Sequence, residues 1–194
     1  MRRQVNVTFS RRTLFLAIGI LALVVIILVS SSNESSVQHV QALEARFAVL
    51  SAASSNQCGA MPDAIMGTKQ GRIQGSCCSP MDFHSYQEQV EGLKKYASWE
   101  IIPEDPYDIS VEHAQKLLLY QKNIQLTPEQ QKVYDSAVQM SHEKGPCCCK
   151  CWHWYAYEGL AKYLITKEGF TSDQIAELWD LSDACGGKGH GHGS

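Results

Sequence analysis

Apolar residues along this chain fall into two patterns, one a solid block and the other a series of periodic stretches. The block runs from Thr13 to Ser32, carries no charge, is mostly Leu, Ile and Val, and follows Arg2, Arg3, Arg11 and Arg12. Beyond it the spacing turns helical. Val40, Leu43, Phe47 and Leu50 share one face of the stretch 36–54. Phe83, Tyr86, Val90, Leu93 and Ala97 draw a second face. Ser79-Pro80-Met81-Asp82 ahead of them reads as an N-cap, a first-position proline and a third-position acid, so a helix is predicted from Pro80 to about Ser98. Ser110 is expected to cap a helix with Ala114, Leu117 and Leu118, ending near Asn123, and Thr127-Pro128-Glu129-Gln130 to start another with Val133, Ala137 and Met140. Gly145-Pro146 is expected to open a helix stopped by Gly169, with the thiols that follow it in the first turn. Thr171-Ser172-Asp173-Gln174 starts a last one with Ile175, Leu178 and Trp179. The Gly-rich segment Cys58 to Gly75 and the proline-interrupted stretch Ile101 to Ile109 read as connections, and no alternating run of strand length stands out. The fold class predicted is all-α, a small helical bundle.

The apolar block is long enough to span a bilayer, and the arginines ahead of it hold its N-terminus on the cytoplasmic side. One N-terminal transmembrane helix or signal anchor is therefore expected over 13–32. It is preferred over a cleaved signal because it exceeds the ~7–15 residues of a signal's apolar core. Either reading exports the rest of the chain, so the expected localisation is membrane-anchored and extracytoplasmic. Ser10, Arg11, Arg12, Leu14 and Phe15 also resemble the twin-arginine export signature, which implies transport in the folded state. The organisation expected is a basic cytoplasmic N-terminus over 1–12, the anchor or signal over 13–32, and a spacer with an amphipathic helix over 33–57. A cysteine-rich helical domain over 58–185 and a Gly/His tail over 186–194 follow.

Composition narrows the function. A chain of 194 residues can bury one sizeable core, and a formal net charge of −3 supplies no basic field for nucleic acid, which is excluded as a partner. Neither a nucleophile elbow nor a phosphate loop is present, and Glu104, Asp105 and Asp108 read as solvated loop acids rather than an acid–base pair. No catalytic residue is assigned.

The eight cysteines carry the chemistry. Cys77 and Cys78 precede Ser79-Pro80, while Cys147, Cys148, Cys149 and Cys151 follow Gly145-Pro146. Immediate neighbours rarely meet disulfide geometry. On the helix reading both clusters lie where free N–H groups and the helix dipole favour thiolate, the form that binds metal and attacks disulfides. Cys147, Cys149 and Cys151 point one way if the loop is extended, and His142 lies just ahead of them. The candidate ligands are Cys77, Cys78, Cys147, Cys149, Cys151 and His142, and soft thiolates select copper or zinc. Because one turn rarely closes a coordination sphere, the two clusters are expected to meet in space.

Pro146-Cys147-Cys148-Cys149-Lys150-Cys151 fits P-C-x-C-x-C and resembles the motif of the bacterial PCYCGC proteins, exported and membrane-attached, of unassigned activity and suspected of binding metal. Cys148 and Lys150 stand where that motif has Tyr and Gly. The resemblance implies Cys147, Cys149 and Cys151 as ligands.

The reading preferred is thus an extracytoplasmic protein binding copper or zinc, with the metal ion and the membrane as partners. Two alternatives stay open. Cys148-Cys149-Lys150-Cys151 has the C-x-x-C spacing of a thiol–disulfide oxidoreductase, though no strand–helix unit surrounds it. An even cysteine count in an exported chain also suits a disulfide-stapled structural or interaction domain, with Cys58 and Cys185 expected to be structural and paired with each other. His190 and His192 in the tail either collect metal or merely solubilise, and Trp152, Trp154, Tyr155, Tyr157 and Trp179 are expected in the core.

Overall fold

A computed structural model describes residues 37–187; the features expected over 1–36 and 188–194, the apolar span and the histidine tail among them, lie outside the described residues. The chain divides into two compact units, 1–45 and 46–194. Helix α1 covers residues 37–51, of which 37–45 belong to the first unit. The second unit continues with α2 (Pro62–Met66), β1 (Arg72–Gln74), α3 (Phe83–Leu93), β2 (Asp108–Ser110), α4 (Val111–Asn123), α5 (Pro128–Met140), α6 (Trp152–Tyr163) and α7 (Ser172–Leu181).

Three helices begin where local chemistry dictates. Ser110 Oγ accepts the His113 N–H at 3.1 Å, and Thr127 and Thr171 each close a reciprocal capping box with the glutamine three residues on. Two others do not. The predicted Ser79-Pro80 start is corrected: Asp82 caps α3, accepting the Ser85 N–H at 3.1 Å, because Met81 is drawn into a bridge with Gly187. The Gly145-Pro146 start is corrected as well. Cys151 is the N-cap of α6, and residues 145–150 form an irregular loop.

The core is built on α4 and α6. Ala114, Leu117 and Leu118 of α4 face Trp152, Ala156, Tyr157, Leu160 and Ala161 of α6, and Ile175, Leu178 and Trp179 of α7 close the cluster. Gly159 sets the approach: a Cβ there would overlap the Leu117 carbonyl and lie 2.6 Å from the Gln121 nitrogen, so only glycine lets the two backbones come this close. Beside the crossing Tyr120 stacks on Tyr163 with ring centroids 4.8 Å apart.

The all-α class is corrected by an antiparallel pair of strands, β1 and β2, registered Arg72 to Ser110, Ile73 to Ile109 and Gln74 to Asp108. Each strand has three residues, too few for an alternation to show in sequence. Ile73 and Ile109 face the core while Arg72 grips Asp108 from outside. The Cys58–Gly75 stretch read as a connection thus contains α2 and β1. The mostly helical class stands, with this small sheet added.

Among the described residues no helix is long and apolar enough to cross a membrane. The expected membrane partner and the membrane-anchored, extracytoplasmic localisation are therefore left without support, the transmembrane helix expected over 13–32 lying outside the described residues.

One further correction concerns the 103–109 loop. Asp105 is 3 % exposed rather than solvated. It accepts the Tyr86 hydroxyl and the Tyr107 N–H, each at 2.9 Å, and pairs with Arg46 Nε at 2.7 Å. Burial nonetheless pushes its carboxyl above the usual range, outweighing those partners. The three contacts make it a structural lock between α3 and the loop.

Candidate metal centre

Four loops carry the thiols, and backbone hydrogen bonds bring the loops together. The segment after β1 lies against the chain after α7: the Cys77 N–H donates to the Ala184 carbonyl, the Cys78 and Ser79 N–H groups to the Cys185 carbonyl, and the Gly187 N–H to the Pro80 carbonyl, at 2.8–3.2 Å. The segment before α2 is held to the start of α6, where the Trp152 N–H donates to the Ala60 carbonyl at 2.8 Å and Trp152 Nε1 to Asn56 Oδ1 at 3.0 Å. Asn56 in turn donates to the Gly75 carbonyl at 3.0 Å. The 145–151 loop completes the ring, its first N–H donated by Gly145 to Ser141 Oγ at 2.9 Å.

All eight cysteines meet there, and none is in a disulfide. Cys77, Cys147, Cys149 and Cys151 have their sulfurs within 4.8 Å of one another. Three trios satisfy the same limit: Cys58 with Cys78 and Cys149, Cys77 with Cys78 and Cys185, and Cys147 with Cys148 and Cys185. Individual Sγ–Sγ distances run from 2.7 Å for Cys148–Cys185, through 3.0 Å for Cys147–Cys185 and Cys58–Cys149, to 3.9 Å for Cys78–Cys148. A tetrahedral ion with metal–sulfur bonds near 2.3 Å needs sulfurs about 3.8 Å apart; the groups gathered within 4.8 Å are compatible with that, and the 2.7–3.0 Å pairs are closer than a bound ion would hold them. Exposure is graded: Cys147, Cys151 and Cys185 are buried, Cys58, Cys77 and Cys149 intermediate, and Cys78 and Cys148 exposed.

The structure brings together five of the six residues singled out from sequence and leaves one apart. His142 pairs its Nδ1 with Asp180 at 3.0 Å and belongs to none of the thiol groups. Three cysteines that sequence reasoning set aside join the cluster. Cys58 and Cys185, expected to pair with each other, lie instead against Cys149 and against Cys147 and Cys148. Cys148, outside the P-C-x-C-x-C alternation, faces Cys185. The only sequence signal for Cys58 and Cys185 is that each sits before glycine in an irregular segment, which is weak.

The thiols polarise one another. Donation from Cys147, then from Cys77, holds Cys151 well below the usual cysteine range, and donation from Cys147, Cys77 and Cys148 does the same for Cys185. Cys151 also has the N-cap position of α6, where helix N–H groups favour negative charge. Cys147 is pushed up by donating to Cys151 and Cys185, and burial pushes up Cys148, Cys149 and Cys78. Ionising all eight at once in so small a volume requires positive charge among them. His153, buried against Tyr157 at a centroid distance of 4.1 Å, has no hydrogen-bond partner on either ring nitrogen and is held neutral by burial. It lends no charge.

Compared with models of protein families, with curated proteins and with solved structures, the chain matches none.

Proposed function

We propose that this chain binds a soft transition metal, copper or zinc, through its clustered cysteine thiolates. The observation that supports this reading is the gathering of eight unpaired thiols from four separate loops into groups of ligand spacing. A hydrophobic core gains nothing from thiols that Ala or Val would not supply, and a disulfide framework would use them in pairs. Cys151 and Cys185 are already biased to thiolate by their neighbours, and the other thiols ionise as the cation enters. The likeness of Pro146–Cys151 to the PCYCGC motif agrees with this reading over those six residues.

The exposed edge of Cys78 and Cys148 gives an incoming ion, or a partner thiol, a first point of attachment, and the buried sulfurs behind it complete the sphere. The test is a thiol count on the purified protein with elemental analysis alongside. Metal binding is expected to show as thiols shielded from a thiol reagent until a chelator is added, with copper or zinc recovered in proportion. Eight cysteines found in stable disulfides, with no metal recovered before or after reduction, would sink the reading.

A further inference from the structure

The four thiol groups are not separate sites. Cys149 belongs both to the foursome and to the Cys58–Cys78 trio; Cys77 and Cys147 each link the foursome to a trio containing Cys185; Cys78 and Cys185 sit in two trios each. Only Cys58, Cys148 and Cys151 belong to a single group. Two independent zinc sites would divide eight sulfurs into two sets of four with none in common. The observed pattern is a network.

Building on the soft-metal reading above, we propose that the cluster is polynuclear, with four copper(I) ions per chain, one to each group, and the shared sulfurs bridging neighbouring ions. A thiolate sulfur keeps lone pairs after it has bound one ion, so sharing needs no further ligand. The trios decide between metals. Each is one sulfur short of the tetrahedron that zinc takes in closed sites, whereas copper(I) is at home in a trigonal set of thiolates. Three sulfurs around one ion at ~2.3 Å lie about 4.0 Å apart; Cys77–Cys185 at 3.9 Å has that separation, and the closer pairs within the trios, Cys77–Cys78 at 3.4 Å, Cys147–Cys185 and Cys58–Cys149 at 3.0 Å and Cys148–Cys185 at 2.7 Å, move apart as ions enter. Each ligating thiol gives its proton to solvent, and no electron moves.

Sharing also makes loading cooperative. An ion bound by Cys77, Cys147, Cys149 and Cys151 fixes three sulfurs that the trios use, so later ions meet ligands whose ordering cost has already been met. The four loops have the same interest: Cys185 enters the cluster only while residues 184–187 stay bonded to residues 77–80.

The experiment is an anaerobic titration of the reduced full-length chain with copper(I) against a chromogenic copper(I) chelator, with bound ions counted by native mass spectrometry. The expected result is a dominant four-ion species with one- to three-ion species scarce, and copper–copper scattering at bridging distance in X-ray absorption. Saturation below four ions, or sites that fill one at a time with every stage populated, overturns the cluster. A chain that holds one or two ions tightly would do so while leaving the soft-metal reading intact; a chain that holds none removes both. Cys185→Ser, which strikes two groups, is expected to abolish cooperative loading, and Cys148→Ser, which strikes one, to lose a single ion and keep the rest. Equal losses from the two overturn the bridging assignment, and Cys148→Ser keeps the test valid if Cys185→Ser fails to fold. Replacing both tail histidines, His190→Ala with His192→Ala, is expected to leave the count at four; a fall below it also overturns the proposal.

Discussion

Gly186 holds the cluster together without contributing a sulfur, and Gly186→Ala tests that. The residue has φ +78, and a Cβ on it would overlap the Ser79 carbonyl oxygen and lie 2.9 Å from both the Ser79 carbonyl carbon and Ser76 Cβ. The left-handed conformation costs an alanine about 1–2 kcal/mol, and forcing a methyl into a filled space about 1–3 kcal/mol more. The sum, on the order of 2–5 kcal/mol, falls on a short segment whose Cys185 carbonyl accepts from Cys78 and Ser79 and whose Gly187 N–H donates to Pro80. That segment opens locally rather than dragging the core with it, because the α4–α6–α7 packing does not include it. Losing Cys185 from two thiol groups is then expected to weaken metal retention by roughly 30-fold or more, at 1.4 kcal/mol per tenfold. Competition against a chelator measures the affinity, and urea unfolding of the metal-free variant followed by far-ultraviolet circular dichroism reports the helical core. Gly187→Ala is the control. Its φ is +87, but a Cβ there meets nothing closer than Ser79 Cβ at 3.9 Å, so it carries the backbone strain without the overlap and should cost less. If Gly186→Ala keeps wild-type metal affinity, or if the two variants weaken it equally, the argument from the Ser79 contact is wrong.

Other outcomes follow from the same geometry. Gly159→Ala should lower the unfolding free energy of the metal-free chain by about 3 kcal/mol, since its methyl would overlap the Leu117 carbonyl; an unchanged urea midpoint would refute the tight crossing. Trp152→Phe leaves Asn56 Oδ1 buried without its donor and should cost about 1–3 kcal/mol while speeding alkylation of Cys58, which that hydrogen bond helps to position; unaltered Cys58 labelling would speak against the link. Alkylating the reduced, metal-free chain should modify Cys78 and Cys148 first and Cys147, Cys151 and Cys185 last, read by peptide mass mapping; early labelling of Cys147 would contradict its burial. Burial raises the folded pKa of Asp105 above its ordinary 3.8, so its contribution to stability is fully present below that ordinary value and is lost as pH rises through the raised one. Asp105→Asn should flatten this decline in denaturant titrations at stepped pH, and an unchanged slope would remove Asp105 as its source.

Sequence alone determined the parts of this protein that depend on near neighbours. Ser110, Thr127 and Thr171 sit next to the N–H groups they cap, and the three-and-four spacing of Leu117, Leu160 or Leu178 needs only helix geometry to become a buried face. The crowding of Cys147 to Cys151 and the presence of Cys77 and Cys78 marked a thiol cluster for the same reason. Tertiary structure decided where distant segments compete for the same groups. The Ser79-Pro80 signal is locally sound, but the Met81–Gly187 bridge and the Gly187 N–H to Pro80 bond claim that stretch, so α3 waits for Asp82. The Trp152 N–H to Ala60 bond likewise holds the chain extended at Cys151, which leaves the cysteine run in a loop that delivers sulfurs to several groups at once. Neither Cys58 nor Cys185 carries a local mark of its partners, because the thiol neighbours of each come from two other loops. Asp105 looks like any loop acid until Arg46, Tyr86 and Tyr107 close around it. The thiols are written in the sequence, and which of them lie within ligand spacing of one another depends on loop-to-loop hydrogen bonds that no stretch of sequence contains by itself.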